Sequence, residues 1–182
     1  MSEIFEVRRH SIRGEGDALS PEGLELAERA RQTLLDDYHA CYTSPKGRCI
    51  QTLEALGFTS YTIVPEFGTL PPKLADFDRQ VQTLRERTGC SLLDAYLTIP
   101  ATRSVCEEFG RTFFEKVREL VQALPPGKNA LAISHGGSIE PAVLAAMPEW
   151  SLEAMGGELG ECEGARFVFD GGILRGVEIV RL

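Results

Sequence analysis

Glu3-Ile4-Phe5-Glu6-Val7-Arg8-Arg9-His10-Ser11-Ile12-Arg13 begins as an apolar-rich strand and breaks off in basic residues. Far downstream, Leu131-Ala132-Ile133-Ser134-His135-Gly136-Gly137 repeats the arrangement: an apolar strand, a histidine, then glycines that let backbone approach a ligand. Between them a short strand, Ala40 to Thr43, stops at Ser44-Pro45 and gives way to a helix with Arg48 in its first turn. An open α/β sheet gathers its ligand-binding groups where strands hand over to loops. A single Arg-His dipeptide is a weak signal. Three strand ends presenting His10, Arg48 and His135, with Arg9 and Arg13 beside the first, form a pattern aimed at one anion.

The residue types suit phosphoryl transfer. A phosphoryl group in flight spreads negative charge over its oxygens, so catalysis rests on positioning and a cationic clamp. Arginine binds phosphate oxygens in pairs through its planar fork and keeps its charge. Histidine is largely neutral near pH 7, which leaves a ring lone pair free for attack. Such a nucleophile needs an acceptor on its other ring nitrogen, and the sequence does not say which group supplies it.

The Arg9-His10 pair, the segment Ser44-Pro45-Lys46-Gly47-Arg48-Cys49-Ile50-Gln51-Thr52 and the late His135-Gly136 together resemble the histidine phosphatase superfamily, the phosphoglycerate mutase-like fold. The resemblance runs from Glu3 to about Ile179, with the three motifs in the family's order. It implies a phosphohistidine intermediate on His10, with Arg9, Arg48 and His135 holding the phosphate. Two departures stand out. Ser11 replaces the glycine common after the histidine, and Arg13 stands where many members have threonine. Arg13 resembles the acid-phosphatase branch, where it adds a phosphate contact, whereas Gly136 after His135 resembles the mutase-like branch.

An alkoxide leaves poorly unless protonated. In the mutase-like branch the donor is a glutamate shortly after the strand that follows the Ser-Pro-x-x-Arg helix. Here that strand is Tyr61 to Pro65, and by order of elements Glu66 is the expected donor, with Glu107 and Asp76 as alternatives. Some members that act on phosphohistidine lack this donor.

The chain has 182 residues, 43% hydrophobic and 25% charged, within the range of one globular domain spanning 1–182. No stretch is long and apolar enough for a membrane span, and Met1-Ser2-Glu3 leads into the first strand with no signal-peptide pattern. Five scattered cysteines (Cys41, Cys49, Cys90, Cys106 and Cys162) lack metal-ligand spacing and read as reduced thiols of a cytoplasmic protein. A net charge of −8 argues against nucleic acid. No cofactor or metal is expected, because arginines build the clamp. The expected partner is a small phosphorylated substrate, with no membrane and no nucleic acid.

Along the chain, strands and helices alternate. Ser20-Pro21 predicts a helix start, with Leu24, Ala27, Ala30 and Leu34 as its apolar face. A helix after Pro45 turns Ile50, Leu53 and Leu56 inward and ends at Gly57. Asp76 to Arg87, Leu92 to Leu97, Thr102 to Leu124 and Ile139 to Met147 are predicted as helices. Ala165 to Asp170 and Ile173 to Leu182, around Gly171-Gly172, predict an edge hairpin. The expected fold is a three-layer α/β sandwich: a mainly parallel sheet, helices on both faces and an antiparallel edge hairpin. Segments 68–102 and 148–164 are possible pocket covers. His39 and Trp150 read as structural.

Four functions are compatible with this pattern. The leading one is a metal-independent phosphomonoesterase working through His10. The others are a protein phosphohistidine phosphatase, a mutase-type phosphotransferase, and a non-catalytic phosphate-binding domain.

Overall fold

A computed structural model describes residues 2–182. Strands β1 (Ser2–Arg9), β2 (Ala40–Thr43), β3 (Thr62–Ile63), β4 (Ala130–Ser134), β5 (Gly164–Asp170) and β6 (Ile173–Val180) form one sheet in the order β3-β2-β4-β1-β5-β6. The first four are parallel to one another, whereas β5 runs antiparallel to β1 and β6 antiparallel to β5. This is the expected mainly parallel sheet with an edge hairpin. Gly171 and Gly172 turn the hairpin at φ of 59° and 75°, the left-handed pair that a tight two-residue turn demands.

Alternation along β4 separates two packed layers. Leu131 and Ile133 face a cluster with Ala27, Ala30, Cys49 and Leu53, from helices α1 (Pro21–Ala30) and α2 (Gly47–Ala55). Ala130 and Ala132 face the larger cluster, which holds Phe113 and Val117 of α5 (Pro100–Gln122) and Ile139 and Val143 of α6 (Ile139–Ala146). A strand covered on both faces is buried at every position, as β4 is. Helices α3 (Asp78–Thr88) and α4 (Leu92–Thr98) lie in the connection from β3 to α5.

Three local expectations change. The strand expected over 61–65 shrinks to Thr62–Ile63: Pro65 has no N–H for the ladder, and Val64 makes the last link, to the Thr43 carbonyl, before a 3-10 turn over Pro65–Phe67. The helix expected from Asp76 starts at Asp78, behind a 3-10 segment over Pro72–Phe77. On α1 the inward residue is Gly23 and Leu24 is exposed, because the helix crosses Ile12 so closely that a Cβ at 23 would lie 2.3 Å from the Ile12 carbonyl oxygen. Ser20 caps this helix as expected, its hydroxyl accepting from the Gly23 N–H at 3.0 Å.

All parallel strands end at one edge. The residues just past β1, β2 and β4 are His10, Ser44 and His135.

Candidate active site

His10 and His135 face each other across that edge, ring centroids 5.2 Å apart and nearly perpendicular. Arg48, in the first turn of α2, joins them: its Nε donates to His10 Nε2 at 3.0 Å and its Nη2 to His135 Nδ1 at 3.2 Å. A guanidinium can only donate, so both accepting nitrogens carry lone pairs. The proton of His10 is therefore on Nδ1, which donates to the Ser11 carbonyl at 2.7 Å. That carbonyl is the acceptor the sequence left unnamed, and it turns Nε2 toward the pocket as a free base. The proton of His135 is on Nε2, which donates to Ser44 Oγ at 2.8 Å.

Burial is the main reason both rings stay neutral. His10 is held below the usual histidine range by burial first, with Arg48 and Arg9 adding to the effect and the Ser11 carbonyl opposing it. Burial, then Arg48, push His135 down to about 3. Near pH 7 the site thus pairs neutral imidazoles with permanent cations.

The second arginine, Arg9, lies across Gly136, where a Cβ would meet its Cδ and Nε at 2.8 Å. A side chain at 136 would displace this guanidinium from its present place. Arg9 donates from Nη1 to the Leu159 carbonyl at 2.6 Å and from Nη2 to Glu161 at 2.8 Å. Its Nε is buried without a hydrogen-bond partner, as is Ser138 Oγ just beyond the glycines.

Surrounding groups hold these parts in place. Thr52 Oγ1 accepts from the Ser11 N–H at 3.0 Å, and Ser11 Oγ donates to the Gly23 carbonyl at 2.6 Å, so the turn that orients His10 is tied to α1 and α2. Here serine, not glycine, after the histidine supplies a bond between elements. Glu140, buried in the first turn of α6, accepts from the Gly137 N–H at 2.7 Å and the Leu159 N–H at 2.9 Å. It joins the His135 loop to the segment holding Arg9; burial keeps its carboxyl above the usual range despite those bonds. Cys49 Sγ lies 3.6 Å from His135 Nε2, but burial pushes this thiol up to about 12 and leaves it unreactive.

Of the residues expected at the site, Arg9, His10, Arg48 and His135 converge. Arg13 does not join them. The chain turns after β1, and exposed Arg13 donates its Nε to the Gly16 carbonyl at 2.8 Å within the neighbouring loop. Glu66 is held by Lys116 of α5 at 3.3 Å and makes no bond to either histidine. The adjacent Phe67 is the inward residue of that 3-10 turn, packed on Phe5 and Phe113, and its carbonyl accepts from Ser134 Oγ. Glu107 lines a separate cavity of about 730 Å³ between α4, α5, α6 and residues 148–153, and Asp76 is exposed. That cavity also holds Trp150, whose ring packs on the larger core cluster, and His39 is exposed just before β2.

The sequence reading did not single out Asp17, Glu140 or Glu161. Glu140 had a signal, an acid three residues beyond Gly137 where it meets that N–H. Asp17 and Glu161 sit in irregular segments with no periodicity to mark them. All five cysteines are free, four of them buried. Among the described residues no group of three His, Cys, Asp or Glu side chains is placed to hold a metal ion, and no helix is long and apolar enough to cross a membrane.

No family model matches the chain, and no curated protein matches it. Solved structures do. A phosphoserine phosphatase from Entamoeba histolytica, in complex with 3-phosphoglyceric acid, is 16% identical with a TM-score of 0.66, covering 99% of this chain and 98% of that one. A mycobacterial hydrolase reaches 0.71 at 16% identity, covering 100% and 98%. A mycobacterial glucosyl-3-phosphoglycerate phosphatase gives 0.63 at 16%, covering 98% and 97%. The fold is that of the phosphoglycerate mutase-like phosphatases, as the three motifs implied.

Proposed function

We propose that this protein is a metal-independent phosphatase that hydrolyses a small phosphomonoester through a phosphohistidine on His10. The observation that carries the reading is the Nε2 lone pair of His10, fixed by the Ser11 carbonyl on the far side of the ring and facing the Arg48 guanidinium. Substrate phosphate enters between these groups and takes over the Arg48 Nε–H. Nε2 then attacks phosphorus, the P–O bond to the leaving group breaks, and the leaving oxygen takes a proton from solvent water. In the second half water attacks phosphorus and gives up a proton to solvent, the N–P bond breaks, and His10 returns to its starting form with release of phosphate. Arg48 and Arg9, whose buried Nε has no partner in the protein, supply charge stabilisation that a metal would otherwise provide. The phosphatase names of the structural neighbours support the same reading at the level of fold.

One observation favours a second reading, a protein phosphohistidine phosphatase: none of Glu66, Glu107 and Asp76 contacts the histidines. An imidazole leaving group places different demands on a proton donor from those of an alkoxide. A panel of sugar phosphates, phosphoserine, nucleotides and phosphohistidine peptides, assayed with EDTA, separates the two. The proposal expects phosphate release from esters, unchanged by chelator and inhibited by vanadate. Quenching in alkaline denaturant should trap a base-stable adduct on His10 that is lost on later exposure to acid. Turnover of phosphohistidine peptide alone moves the assignment to the second reading, and metal-dependent activity overturns the clamp.

A further inference from the structure

Arg48 touches both histidines from the first turn of a short helix, and a free arginine side chain has many rotamers to lose. What holds it is Asp17. One carboxylate oxygen of Asp17 accepts from Arg48 Nη1, and the other accepts from the Gly47 N–H at 2.7 Å, at the start of α2. Asp17 is itself fixed. Its turn is closed by the Gly14 N–H to the Ala18 carbonyl at 2.9 Å and by a bridge between Arg13 and Leu19. The Leu19 N–H is tied to Gln51 of α2 at 2.7 Å. Gly47 lies so close beneath it that a Cβ there would sit 2.9 Å from the Asp17 carbonyl oxygen.

The division of the guanidinium is the telling feature. Asp17 takes Nη1, while Nε and Nη2, the neighbouring pair suited to gripping two phosphate oxygens, are the two that face His10 and His135. We infer that Asp17 is the positioning residue of the phosphate clamp, anchoring Arg48 by Nη1 so that its Nε–Nη2 edge stays turned to the phosphate; this rests on the phosphatase reading above. The carboxylate remains on Nη1 when phosphate takes the other edge. It thereby also accounts for Arg13, whose backbone and side chain shape the turn carrying Asp17, near the site but without contact to the histidines.

A carboxylate at this place has an opposite possible role, competing with phosphate for Arg48, and the two roles predict opposite signs. Asp17→Asn keeps an acceptor for the Gly47 N–H and removes the anion from Nη1. Positioning predicts that orthovanadate binding weakens and KM rises by about tenfold, the size of one charge-assisted hydrogen bond at a half-exposed site, with a smaller change in kcat. Asp17→Glu should recover part of the loss. Asp17 is exposed, so circular dichroism and the melting temperature should match wild type, and a merely structural role would instead lower both variants together in Tm. Unchanged or tighter vanadate binding in Asp17→Asn overturns the inference. Wild type that binds vanadate and responds as described but turns over no phosphate compound refutes the phosphatase reading alone. Wild type that binds no vanadate refutes both.

Discussion

Arg8 and Arg9 are neighbours on β1 with opposite employment. Arg8 is 1% exposed and each of its three guanidinium nitrogens donates: to Glu6, to the Cys162 carbonyl at 2.9 Å and to the Thr33 carbonyl at 2.9 Å. Glu6, fully buried, also accepts from Arg166 at 2.9 Å and from Tyr38 at 2.7 Å, so every charge there has a fixed partner. Arg9 keeps a buried Nε with no partner, and its acid, Glu161, is 39% exposed at the side chain. A closed network of this kind holds a fold in one arrangement, whereas the open one keeps capacity for an incoming anion. Strand alternation makes the difference: Glu6 and Arg8 point toward α1, while Phe5, Val7 and then Arg9 point to the other face.

The largest break between the two regions is in activity. His10→Ala should lower phosphate release by about 10⁶-fold, as loss of a nucleophile does, with an unchanged melting temperature. Retained turnover would remove His10 from the chemistry. Next comes stability. Arg8→Ala leaves Glu6 buried with part of its charge uncompensated and should cost about 3–5 kcal/mol in urea unfolding, with activity lost only in step with the folded fraction. Arg9→Ala should do the reverse, costing little in stability and much in vanadate affinity. If the two substitutions gave the same profile, the contrast between closed and open networks would fail.

Acid conditions sharpen the comparison further. His135 is pushed down to about 3 in the folded protein and stays near its usual value when unfolded, and His10 shifts in the same direction. The unfolded chain therefore binds more protons below pH 6.5. This stability is fully present above pH 6.5 and is lost as pH falls toward about 3, by roughly 2 kcal/mol between pH 6.5 and 4.5. Urea titrations at several pH values should show this slope, and His135→Gln should flatten it. In activity, the acidic limb should lie below pH 6.5, because protonation removes the His10 lone pair.

The smallest effect is expected at Glu66. Its ion pair with Lys116 is partly exposed, so Glu66→Gln should change stability by less than about 1 kcal/mol. It should slow sugar-phosphate and nitrophenyl phosphate hydrolysis by the same small factor. A loss of about 10²–10⁴ confined to the unactivated ester would return Glu66 to the site as proton donor.

Much of this could be read from residues in order. Apolar strands ending in Arg9-His10 and His135, and a helix opening at Arg48, announce themselves because strand and helix periodicities are local and because strand ends in a parallel sheet share one edge. The alternating pattern was enough for the layers, the sheet class and the edge hairpin. Thr52 stood in the motif, though its grip on the Ser11 N–H did not. Tertiary structure alone decided the rest. Glu66 follows the correct strand, but the inward place on its 3-10 turn belongs to Phe67, so the carboxylate ends on Lys116. Arg13 shares a strand end with His10 in sequence, yet the turn carries it onto the Asp17 loop. Asp17 and Glu161 lie in irregular segments, where no repeat tells which way a side chain points, and only the folded chain brings each to its arginine. Spacing along a chain determines facing within an element, whereas partnership between loops depends on how the elements pack.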